Sequence, residues 1–198
     1  MKTNFLLMSV LFVAIQGCAF TPATLDVKHN ATQVKQGPLS STEPSVFSLN
    51  GLADERPDKH RIGYKKNGFG ANTADITSSR PVTAIVGDAI RHGLTTNGHS
   101  VSDDGKVSID GAVTQFWFDT DVNFWTIGFI GSVECKLQFT DKRSNEVVYE
   151  NTYSGTHKEE KMAGLEGTWT RVMGLAVDKL VEDISFDDEL LEALEDLN

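Results

Sequence analysis

Residues 81–97 read PVTAIVGDAIRHGLTTN, and residues 106–118, a short turn later, read KVSIDGAVTQFWF. In the first stretch Val82, Ile85, Val86, Ala89, Ile90, Gly93 and Leu94 recur at i, i+3, i+4 and i+7, which draws one apolar stripe along a helix. Pro81 suits a first helical turn, and Ser78 or Ser79 offers a capping hydroxyl. Asn97-Gly98 closes the run, with Gly98 placed for a left-handed C-terminal cap. The second stretch changes period. Val107, Ile109, Gly111 and Val113 alternate with polar residues and share one face of a strand. Asp103-Asp104-Gly105 between the two has the residues of a tight turn.

Strand character continues outward from this pivot. Ile127–Thr140 is the expected partner across the 119–126 connection, and Glu146–Ser154 follows a turn at 141–145. Upstream, Val46–Leu52 reads as a first strand. The polar connection from Ala53 to Ser79 is long enough to be functional or to hide a short hairpin. Downstream, Gly167–Ile184 carries Val172, Leu175, Ala176, Leu180 and Ile184 on one helical side. Phe186–Leu197 is an acidic amphipathic segment that Asp187 or Asp188 would cap. The order predicts an α+β fold, with an antiparallel or mixed sheet of about four to five strands and two main helices packed on one face. No internal repeat is visible.

The amino terminus has a different character. Lys2 precedes an apolar run from Phe5 to Ile15, which ends at Ile15-Gln16-Gly17-Cys18. The run is too short to span a bilayer, where about 20 residues are needed, and it fits a signal peptide. A cysteine after a small residue at this position resembles the cleavage and lipidation box of bacterial lipoproteins. The alternative is an ordinary signal peptide with Cys18 incidental. The expected organisation is a lipoprotein signal peptide over 1–17, then a lipidated Cys18 and flexible tether over 18–44. A single α+β periplasmic domain over 45–198 follows. The resemblance implies several acyl chains, palmitate among them, and hence a lasting membrane anchor, because one chain alone holds only marginally. Ala19 stands where many inner-membrane lipoproteins carry aspartate. By the same resemblance this implies the outer membrane, facing the periplasm.

Composition excludes several classes. The formal net charge is −10, and Glu182, Asp183, Asp187, Asp188, Glu189, Glu192, Glu195 and Asp196 concentrate it at the carboxyl end. Sequence-independent nucleic-acid binding runs on lysine and arginine at phosphates, so no nucleic-acid partner is expected. His29, His60, His92, His99 and His157 show no metal-ligand spacing. Cys135 sits on the apolar face of its strand and reads as a small buried hydrophobe. No Gly-x-Ser-x-Gly nucleophile motif occurs. No enzyme activity, cofactor or metal is expected.

Two candidate surfaces remain. Phe116, Trp117 and Phe118 with Phe124, Trp125 and Phe129 bracket a turn, and three consecutive aromatics must face both sides of a strand. They form either a two-sided core or an exposed patch that meets a partner or a membrane. Arg56, Lys59 and Arg61 either contact an anionic group or sit in a solvated loop with Asp54, Glu55 and Asp58.

The chain resembles the YajG-type family of uncharacterised bacterial outer-membrane lipoproteins. The resemblance rests on the box at Cys18, the early strand leading into Asp54-Glu55-Arg56, and Ser78-Ser79-Arg80 before a helix ending in Asn97-Gly98-His99. The long hairpin and carboxyl-terminal helix complete it, although this hairpin is unusually aromatic. More distantly, the chain resembles small α+β lipoproteins that serve envelope transport machines. The implied role is non-enzymatic binding or scaffolding in envelope assembly or transport, with an envelope protein or lipid as partner. The alternative is a carrier of a hydrophobic ligand such as a lipid.

Overall fold

The strand that begins at Val107 runs for sixteen residues and is the spine of the molecule. The computed structural model describes residues 20–30, 35–123, 125–162 and 164–197. Signal peptide 1–17, Cys18 and Phe124 lie outside them. In chain order the elements are β1 (Ala23–Leu25), β2 (Val46–Leu49), β3 (Ala53–Asp54), β4 (Gly63–Lys66) and β5 (Asn72–Ser78). Then come α1 (Val82–Thr96), β6 (Ser100–Val101), β7 (Val107–Val122), β8 (Ile127–Asp141), β9 (Glu146–Lys161), α2 (Glu166–Ser185) and α3 (Asp188–Glu195). A 3-10 turn covers Pro38–Ser41.

Strands β7, β8 and β9 form an antiparallel meander along nearly their whole lengths. On its other edge β7 is met in turn by β2, β3 and β4, all parallel to it. Strand β5 pairs antiparallel with β4, and β1 lies parallel on β5. The result is one mixed sheet of nine strands, so the expectation of four to five understates it. The sequence pattern gives a strand start at Ser100-Val101, the observed β6. The extra strands are β1, β3, β4 and β5, two to seven residues long, of which β3, β4 and β5 are mostly polar and lack the apolar alternation that marks a strand in sequence.

A bulge at Thr114 explains the aromatic run. Val113 pairs with Cys135 and Gln115 with Glu134, which leaves Thr114 as the extra residue. The bulge shifts the phase of alternation by one. Val107, Ile109 and Val113 before it and Phe116 and Phe118 after it are therefore all buried, while Trp117 turns to the other face. On β8, Phe129, Val133, Cys135, Leu137 and Phe139 are buried without such a shift.

The helices cover that apolar face. Helix α2 contributes Val172, Met173, Ala176, Val177 and Leu180 to the core, and α1 contributes Ile85, Val86, Ala89 and Ile90. Gly155 on β9 permits the close approach of α2: a Cβ there would overlap the Ala176 carbonyl oxygen and the Leu180 amide. Helix α1 ends as its sequence predicts, with Gly98 at φ +89. Its start differs: no side chain caps it, and the Ser79 hydroxyl instead donates to Asp26 Oδ1 at 3.2 Å. Asp187 does cap α3, accepting from the Glu189 and Leu190 amides.

The expected flexible tether over 18–44 is corrected wherever the structure describes it. Ala23 and Leu25 are buried on β1, Val27 and Leu39 are buried further along the segment, and the Asn30 amide donates to Asp178 Oδ1 at 2.8 Å. Asn97 holds the segment to both helices. Its Oδ1 accepts from the Gly37 amide at 2.9 Å, and its Nδ2 donates to Gly93 O and Ser185 Oγ. Polar composition hid the alternation of Ala23, Leu25 and Val27, which a third layer of contacts buries.

Candidate functional site: an apolar cleft at one end of the sheet

Register places five chain segments at one end of the sheet. They are the residues entering β1, the β4–β5 turn, the β7–β8 turn, the end of β9 and the start of α2. Between them lies a cleft of about 710 Å³. Its walls are mainly Phe118, Val122, Ile127, Phe129, Leu165 and Trp169, and Thr21 and Pro22 stand at its edge. Phe118 stacks on Phe129 with ring centroids 6.4 Å apart and meets Trp169 at 5.6 Å.

Polar residues also reach this lining, among them Lys65, Lys66, Asn67 and Glu166, and two polar atoms are sealed beneath it. Trp169 Nε1 and Thr120 Oγ1 are buried, and neither has a hydrogen-bond partner among the described residues. Both residues border the cleft. A buried donor left unpaired is costly, so such groups call for a partner. Two lysines stand nearby. Lys65 Nζ lies 5.6 Å from the Trp169 ring centroid and 3.5 Å from Glu166 Oε1. Lys66 Nζ pairs with Asp119 Oδ1 at 2.6 Å and donates to Thr120 O at 2.9 Å.

The aromatic residues singled out from sequence do not share one surface. Phe116, Phe118 and Phe129 are in the helix-covered core, and the last two also wall the cleft. Trp117 lies on the open face, edge-on to Tyr64 at 5.7 Å. Trp125, at the tip of the β7–β8 hairpin, is 78% exposed. The basic residues separate likewise. The Arg56 guanidinium is buried, donates to both oxygens of Asp54, and donates to the carbonyls of Lys59 and Arg61. It is a clamp on the β3–β4 loop and is closed to an outside anion. Arg61 pairs with Asp58 and Asp75 and donates to Tyr64 Oη at 2.6 Å. Lys59 remains exposed.

Sequence reasoning missed Trp169, Val122, Ile127 and Thr120 as one site. Trp169 falls one turn ahead of Val172 and so reads as ordinary core. The others flank a turn, and only the register of three strands brings them to the helix start. Elsewhere, burial pushes the Cys135 thiol up to about 12, which leaves it inert as a nucleophile. Burial also holds His99 below its ordinary value, and the ring packs structurally, with the Ser45 amide on Nδ1 and Leu39 O near Nε2. Among the described residues no three metal-ligating side chains gather, and no helix is long and apolar enough to cross a membrane.

Comparison with known proteins places this architecture. No curated protein is significantly similar in sequence. Among solved structures, protein XCC0632 from Xanthomonas campestris, of family DUF330, superposes with a TM-score of 0.62 at 10% identity, covering 90% of this chain and 100% of that one. A minor lipoprotein from Acinetobacter baumannii matches at TM-score 0.44 and 14% identity, over 75% of this chain and 94% of that one. Lipoprotein GNA1162 from Neisseria meningitidis matches at TM-score 0.30 and 15% identity, over 72% and 99%. The first likeness establishes the fold. A family model described as an uncharacterised lipoprotein matches residues 32–195, and the chain belongs to that family.

Proposed function

We propose that this chain is a periplasm-facing outer-membrane lipoprotein, anchored through acylated Cys18, whose non-enzymatic task is to hold an acyl chain of a lipid in the cleft. The observation that carries the reading is the cleft of about 710 Å³ walled by Phe118, Val122, Ile127, Phe129, Leu165 and Trp169. A hydrocarbon chain suits walls of this composition. Sites of this kind, mostly apolar with few polar groups, are typical of small-molecule binding. The cavity shifts the balance between the two sequence expectations from scaffold towards carrier.

Dansyl-undecanoic acid tests this reading. Titrated into the purified Cys18→Ser protein, it should show saturable binding with enhanced emission. Val122→Trp fills the cleft and should weaken binding at least tenfold. Ile127→Trp narrows the cleft from the opposite strand and should weaken binding to a similar degree. Absence of saturable binding to the parent protein, or equal binding by the parent and Val122→Trp, overturns the proposal.

A further inference from the structure

The loops around the cleft carry a second feature. Phe20 is 63% exposed, Phe69 98%, Trp125 78%, Met162 85% and Leu165 83%. These are five of the eight large apolar side chains that the described surface exposes. Phe20 precedes β1, Phe69 lies in the β4–β5 turn, Trp125 in the β7–β8 turn, and Met162 and Leu165 between β9 and α2. Strand register brings all four segments to the same end of the sheet. Single exposed apolar residues need no explanation, whereas a rim of them drawn from separate loops does.

We infer that this rim is a membrane-contact face, inserted at the headgroup–acyl boundary of the leaflet that holds the anchor. The first argument is proximity. Cys18 precedes Phe20 by two residues, a reach of at most about 7 Å when extended. Thr21 and Pro22 already border the cleft. An acylated Cys18 therefore brings this end, and no other, against lipid. The second argument is charge. Ionic groups beside the rim pair off as Lys65–Glu166, Lys66–Asp119 and Lys158–Glu160, and Glu159 meets both Lys161 and Arg171. The face therefore offers apolar area without a charge pattern that would select a protein partner or require anionic lipid. The third is composition, since Trp and Phe are favoured at a bilayer interface, where one side is apolar and the other wet. Insertion would also turn the mouth of the cleft towards the lipid.

The proximity argument rests on the anchor, but the test does not. The mature chain from residue 18, with Cys18→Ser, Trp117→Phe and Trp169→Phe, keeps Trp125 as its only tryptophan. Mixed with vesicles of phosphatidylethanolamine and phosphatidylglycerol, it should show a blue shift and quenching by brominated acyl chains, both persisting in high salt. Cosedimentation of the Cys18→Ser protein with the same vesicles provides a second measurement, independent of the tryptophan changes. Phe69→Ser and Met162→Ser should each lower partitioning about tenfold, and both together with Trp125→Ser about a hundredfold or more. No added fatty acid is present, and none of these three residues lines the cleft, so failure of the acyl-binding reading leaves the outcome untouched. Unquenched Trp125 emission, or rim variants that cosediment like their parent, overturns the inference, as does binding abolished by salt.

Discussion

Arg56→Met isolates the clamp that fixes the β3–β4 loop. The Arg56 side chain makes four hydrogen bonds, two to Asp54 and one each to the carbonyls of Lys59 and Arg61. Methionine replaces the apolar stem and none of the donors. Breaking a buried ion pair from one side costs about 3–5 kcal/mol. The Asp54 side chain is 27% exposed, so water recovers part of the loss and the lower end, about 3 kcal/mol, applies. For a domain of this size that corresponds to a fall of about 6–12 °C in Tm. Urea unfolding followed by circular dichroism measures it directly. The deficit should depend on pH. The Arg56 side-chain bond, against the opposing effect of burial, holds the Asp54 carboxyl below its ordinary 3.8. A depressed carboxylate contributes stability that is present above its unfolded pKa and lost as pH falls through the folded one. The gap between parent and Arg56→Met should therefore narrow below pH 3.8. A variant within about 0.5 kcal/mol of the parent at pH 7 would refute the clamp. So would phosphate that stabilises the parent but not Arg56→Met, since Arg56 would then be an anion contact.

Two glycines should respond in opposite directions. Gly155→Ala forces a Cβ into the backbone of α2, and overpacking of this kind costs about 3 kcal/mol, whereas Gly87→Ala meets nothing within 4 Å in the middle of α1 and should gain about 0.5–1 kcal/mol. Chemical denaturation of both proteins checks the sign; equal effects would mean that α2 does not lie where described. Burial raises the Asp178 carboxyl from 3.8 to about 6, so its protonated form suits the folded state. Its contribution is fully present below pH 3.8 and is lost as pH rises towards 6. Asp178→Asn should therefore be more stable than the parent at pH 7, with the difference disappearing below pH 4; Tm measured across that range decides it.

The long elements were legible because their periods are unmixed. Val82 to Leu94 repeat as a helix, and the observed α1 spans Val82–Thr96. Ile127 to Phe139 alternate without interruption, and β8 spans Ile127–Asp141. What escaped is what pairs through backbone alone. Gly155 to Lys161 carry polar side chains almost throughout, yet they extend β9 because β8 presents an open ladder beside them. The β4–β5 hairpin within the polar connection is of the same kind, one of the two forms the sequence left open. The cleft was least legible. Phe118 and Phe129 were singled out, but for a surface they only partly form, because the Thr114 bulge sends Phe118 inward and Trp117 outward. One unpaired residue in a ladder leaves no mark in composition or spacing.

The early burial of β1 sets how this protein could work at a distance. A lipoprotein on a long leash samples the compartment above its membrane. Here Ala23 is already locked into the sheet, five residues from Cys18, so an acylated chain would stand where it is planted. Its outreach is then the length of its own hairpin, about 50 Å for sixteen residues of strand. The turn at 142–145 and the acidic helix α3 would mark the far tip. That tip is the part of the molecule farthest from Ala23, and the cleft with its apolar rim lies at the foot.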